Sequence, residues 1–249
     1  MNAETGKLLH FPEHSKSSAP LLRFSEPFTL LDFSKAKLER QKLEMTARRQ
    51  DVIELQKFQI TNQIERLINF GFHRELGQDE AEYTQTFSGI LEQVEKYRGK
   101  FNTPLVVEGR VPLKKQHELV GIEEFFNSEK IKNHIKIPQV PNNCPFIIWI
   151  PSPRDLREET IAESLSGLHE GEVDCTQLEV TSFFIHHSDF FKSSKIIMTA
   201  MGSRFNDSHI PYIEYYNNRS RLDVISEYVR HQQSVALLRG ERITFPLAA

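Results

Sequence analysis

The chain has 249 residues, 39% of them hydrophobic and 26% charged, with a formal net charge of −3. That length and composition suit a soluble globular protein with a core of its own, and the slightly acidic balance argues against recognition of nucleic acid through its phosphates. Two cysteines, Cys144 and Cys175, exclude a disulfide framework and a four-cysteine zinc site and read as reduced thiols of a cytoplasmic protein.

Residues 1–32 read as a flexible tail, polar and proline-spaced (Pro12, Pro20, Pro27), with apolar islands at 21–24 and 28–33. The segment has no apolar stretch of the kind a signal peptide carries. No run in the chain reaches the roughly 20 apolar residues of a membrane span, so no membrane contact is expected.

Residues 33–70 read as a helical arm. Neither proline nor glycine interrupts 34–70, Ser34 suits an N-cap and Gly71 a stop. Its first half is highly charged, with Leu31, Leu38, Met45 and Val52 seven apart; its second half carries Ile53, Ile60 and Leu67 at the same step, with Ile64 and Ile68 beside them. The second half therefore packs on the core, and the first half projects or pairs.

Residues 71–249 read as one α/β domain. A helix is expected within 77–100, opening at Asp79, with the apolar stripe Tyr83, Phe87, Ile90, Leu91 and Val94. Strands follow at 104–108 and 146–150, the second so uniformly apolar that both its faces must be covered. Val111 to Gly121 reads as strand then helix, and Leu156 to Leu168 as a helix with an acidic opening at Glu158 and Glu159. Thr176 to Phe191 is a helix in which Thr176 and Glu179 form a capping box. Strands at 196–201, 212–216 and 222–228 and a short terminal helix at 230–239 complete the order. The fold class is α/β or α+β: one mixed sheet with flanking helices plus the N-terminal arm.

Several of these segments resemble an uncharacterised bacterial family, a domain of unknown function found chiefly in actinobacteria. The likeness runs from about Phe58 to Gly240: Ile68-Asn69-Phe70-Gly71-Phe72, Pro104-Leu105-Val106-Val107, Pro145-Phe146-Ile147-Ile148, Asp174-Cys175-Thr176 with Glu179, and Gly202-Ser203-Arg204 with Ile210-Pro211. The family's Gly-Trp-rich C-terminal segment has no counterpart around Leu222 to His231. The resemblance implies one α/β domain with an added arm, and it brings no activity with it.

The candidate site is the loop Gly202-Ser203-Arg204 after an apolar strand. Its glycine suits a positive φ, its backbone N–H groups an anion nest, and Arg204 a bidentate clamp on a carboxylate or phosphate. The competing reading is a tight strand-end loop whose arginine pairs internally. His186 and Asp189, three apart on a helix, are candidate ligands nearby, but they lack a third partner, so no metal and no cofactor is expected. Cys175 at a helix start is a reactive thiol or, more simply, a buried structural one. Two functions follow. One is an interaction or scaffold protein whose arm binds a protein partner or a second copy. The alternative is an enzyme or ligand-binding domain with an anion site at Gly202-Ser203-Arg204.

Overall fold

The computed structural model describes residues 30–133, 144–153, 156, 158–159, 172–194, 196–226 and 235–242. Of the tail expected over residues 1–32, residues 1–29 lie outside them and 30–32 are helical; most of the helix expected over 156–168 also lies outside them. Helices with mixed and antiparallel strand pairing make an α+β fold. The chain forms two compact units, Met1–Ala47 and Arg48–Ala249. Among the described residues no helix is long and apolar enough to cross a membrane.

Helix α1 spans Leu30–Asn69, and Gly71, at φ +86°, turns the chain after it. Every residue from 37 to 52 is exposed. Further along, Ile60, Ile64 and Leu67 are buried. Gln63 does more than fill space. Its amide donates to Pro104 O and accepts from Val106 N, each at 2.8 Å. In this way it satisfies the outer edge of strand β1 (Thr103–Val107), the position where an unpaired strand would otherwise expose its polar backbone.

Short helices follow: α2 (Phe72–Glu75), α3 (Glu80–Gln85) and α4 (Ser88–Lys96). Asp79 caps α3 in a complete capping box with Glu82. After β1 come α5 (Leu113–Val120), β2 (Ile122–Glu124), β3 (Ile131–Asn133), β4 (Phe146–Ile150), β5 (Glu158–Glu159) and β6 (Val173–Asp174). Gly121, at φ +75°, makes the tight turn from α5 into β2. The long helix α6 (Gln177–Ser194) leads to β7 (Ile197–Thr199), β8 (Ser203–Phe205), β9 (His209–Tyr216), β10 (Arg219–Ser226), β11 (Val235–Leu237) and β12 (Arg239–Arg242).

The strands form two ladders. One is antiparallel, ordered β1-β4-β12-β6; the other is mixed, ordered β2-β10-β9-β7-β11-β5, with the β3–β8 pair joined to β9. Strand β4 shows why its sequence is apolar throughout. Phe146, Ile148 and Ile150 face the core built with α6, where Val180, Phe183, Phe184 and Phe191 lie. Ile147 and Trp149 face the other core, with Ile60, Leu67, Phe72, Tyr83 and Phe87. Successive residues alternate between two cores, and each fully buried side chain of this size contributes about 1.5–3 kcal/mol. Trp149 stacks on Tyr97 with ring centroids 3.8 Å apart and planes 3° off parallel.

Two expected helices are corrected. Glu158–Glu159 is not a helix opening but strand β5, antiparallel to β11. The stretch expected as a terminal helix holds β11 and the start of β12, separated by the buried Leu238. These strands are two to four residues long, too short for a period-2 pattern to show. They exist because distant strands, β7 and β4, supply their partners.

Candidate functional site at the first turn of α6

The loop from β7 to β8 meets the start of α6. Ser203 N donates to Ala200 O and Gly202 N to Cys175 O, each at 2.9 Å. The Ser203 hydroxyl accepts the backbone N–H of Gln177 at 2.8 Å. Ser203 is fully buried. It therefore serves one of the N–H groups that a helix start leaves without a partner. Among the described residues the left-handed glycines are Gly71, Gly77 and Gly121, and Gly202 is not one of them. Arg204 is 7% exposed, and its Nη1 donates to Met201 O at 2.7 Å and Ser203 O at 2.8 Å. These two bonds brace the loop from within.

His186 and Asp189 stand apart in environment. His186 is buried and donates through Nε2 to Val106 O at 3.1 Å; its Nδ1 has no hydrogen-bond partner among the described residues. Burial, then the neighbouring His187, push its pKa down to about 3. His187 sits at a break in α6, at φ −130° and ψ 34°, and burial, then Arg66, push its pKa down to about 4. Asp189 is solvent-facing, 91% exposed at its side chain, and meets Lys192 at 3.4 Å. Among the described residues no group of three or more His, Cys, Asp or Glu side chains is placed to hold a metal ion. Cys175 is fully buried, and burial, then Glu179, raise its thiol well above the ordinary range. The thiol stays protonated, the opposite of a reactive cysteine at a helix start.

The most connected polar groups are ones the sequence reading missed. Gln177 Nε2 donates to Thr181 Oγ1 at 3.2 Å, Thr181 Oγ1 meets His117 Nε2 at 2.9 Å, and His117 Nδ1 meets Glu124 at 2.5 Å. The Ser128 hydroxyl donates to the same carboxylate at 2.5 Å. Burial opposes ionisation of Glu124, but the bonds from His117 and Ser128 hold its carboxyl below the ordinary range. An ionised carboxylate only accepts, so His117 Nδ1 carries the proton between them. Hydroxyl, imidazole and carboxylate thus share the connectivity of a nucleophile relay. Thr181 and His117 are nevertheless both fully buried. The chain ties α5, β2 and α6 together inside the core.

On the same first turn, Arg242 grips Glu179 through Nε at 2.6 Å and Nη2 at 2.5 Å. Glu179 also accepts the N–H of Thr176 at 2.7 Å and its hydroxyl at 2.9 Å. The expected Thr176–Glu179 partnership is present, with the threonine hydroxyl as donor. A third buried group joins Glu108, Arg110 and Tyr83 at 2.7–2.9 Å. Each assembly includes a partner far off in the chain, His117 with Thr181, Arg242 with Glu179 and Tyr83 with Glu108, and local spacing does not announce those links.

Compared with family models, with curated proteins and with solved structures, the chain matches none.

Proposed function

We propose that this is a non-enzymatic interaction protein of the bacterial cytoplasm, and that its N-terminal helical arm binds a protein partner. The observation that carries this reading is the stretch 37–52 of α1, exposed at every position. It presents Leu38, Met45 and Val52 at seven-residue steps with 51%, 72% and 44% of their surface in solvent. A polar helix with no buried face draws little stability from the fold and suits a segment completed by a partner. An anion site at Gly202, Ser203 and Arg204 is the weaker alternative, because the serine hydroxyl serves Gln177 and the guanidinium braces backbone carbonyls. Two free cysteines among the described residues fit a reducing compartment.

The test is a comparison of the wild-type chain with Met45→Glu as immobilised bait in source-cell extract. A protein retained by the wild type and lost by the variant, with the same melting midpoint for both, is the expected result. Identical retention profiles would remove the arm from consideration.

A further inference from the structure

We propose that residues 235–242 are a clasp that opens as one unit while the rest of the core stays folded, and that the first turn of α6 is reached through it. The proposal does not depend on the arm.

Strand β11 lies inside the mixed ladder, between β5 and β7, and β12 lies inside the antiparallel one, between β4 and β6. Only Leu238 separates the two strands. It is buried, and its carbonyl oxygen accepts the N–H of Cys175 at 3.0 Å. One residue spans at most about 3.6 Å of chain, too little to let β12 leave β4 while β11 stays on β7. Gly240 sets how closely the clasp seats. A methyl group there would lie 2.6 Å from the Ile148 side chain and 2.7 Å from the Trp149 carbonyl oxygen.

The clasp is held differently from the strands around it. Its pairings with β5, β7, β4 and β6 are each two residues long, whereas β9 and β10 pair over eight residues and β1 and β4 over five. The side chains of β12 are anchored by polar contacts. Arg239 meets Asp174 of β6 at 3.4 Å, Glu241 accepts the Tyr97 hydroxyl at 2.5 Å, and Arg242 grips Glu179 of α6 at 2.6 Å. Short pairings and polar anchorage mark a segment that opens at a lower free energy than the whole fold. What it covers is the start of α6. Cys175 and Leu238 share one core cluster, and Glu179 is fully buried behind Arg242. Opening lets water reach the Glu179 carboxylate at the moment it loses Arg242, so no charge is left buried and unpaired.

The experiment follows amide exchange of the full chain at urea concentrations below its unfolding transition. In parallel, a maleimide labels Cys175 in Cys144→Ser, which removes the half-buried second thiol. Amides of β11 and β12 should exchange through one shared opening. Its urea slope should be about half that of the β9–β10 amides or less, because a local opening exposes less surface than global unfolding. Cys175 should react with the same shallow slope. Gly240→Ala should speed exchange in β11 and in β12 by the same factor, roughly ten-fold or more, as overpacking of a close contact does. Different slopes for β11 and β12, or acceleration confined to β12, would show two strands moving separately and overturn the proposal. Slopes for the clasp or for Cys175 equal to that of β9–β10 would mean that it opens only with the whole fold, and would overturn it as well. The wild-type slopes decide the matter even where Gly240→Ala does not fold.

Discussion

Arg66 on α1 donates through Nη1 to the carbonyl oxygen of His186 on α6 at 2.6 Å, with the carbonyl of Ile185 at 3.4 Å. These carbonyls precede the break at His187. The contact fastens the packed half of α1 to the core helix. Arg66→Ala should lower stability in urea unfolding by about 1 kcal/mol, the usual worth of such a bond. Arg66→Lys should recover part of it. An unchanged urea midpoint in Arg66→Ala would show that water replaces the guanidinium at no cost.

The same region sets an acid limit. Burial above all holds His186 and His187 neutral, at about 3 and about 4 against the ordinary 6.5. Above the ordinary value both folded and unfolded chains are neutral there, and nothing is lost. As pH falls below about 6.5 the unfolded chain takes up protons that the folded chain refuses. Each imidazole then costs up to about 1.4 kcal/mol per pH unit until its folded pKa is reached. The urea midpoint should be level between about pH 7 and 8 and drop between about pH 6 and 5, with His186→Gln blunting the drop. A level profile through that window would mean the imidazoles are hydrated.

The two apolar strands should respond unequally to a buried charge. Ile148 is completely buried between β1 and β12, whereas Ile197, on β7, is half-buried. Ile148→Asp should remove several kcal/mol, comparable with a domain's whole stability, and yield little soluble protein. Ile197→Asp should remain soluble with a lowered melting midpoint. A normally melting Ile148→Asp would misplace the core.

Ser203 offers a test of the candidate site. If its hydroxyl exists to serve the N–H of Gln177, Ser203→Ala should cost about 1 kcal/mol, as the loss of a helix-start partner does elsewhere. Thermal-shift screening with anionic metabolites should then show no midpoint change that depends on Ser203 or Arg204. A ligand that stabilises the wild type and fails to stabilise Arg204→Ala would revive the anion site.

What was legible in the chain was what local chemistry controls. The unbroken run without proline or glycine became α1, Asp79 opened a helix as expected, and the five apolar residues of β4 announced burial on both faces. The hidden part depends on distant partners. His117 and Thr181 are 64 residues apart, and Arg242 and Glu179 are 63 apart. Strands such as β5 carry too few residues to show a period. The loop at Gly202 read as chemistry because glycine, serine and arginine serve anion binding and loop closure equally well. Only the position of Gln177 N tells the two apart.

The arm's independence from the fold is measured most directly by amide hydrogen exchange on the full chain. Residues 37–52, exposed throughout, should exchange fast in isolation, because a short polar helix without tertiary contacts opens readily. The stretch around Ile60, Gln63 and Leu67, buried against the core, should be protected. Equal protection of both stretches would contradict the account.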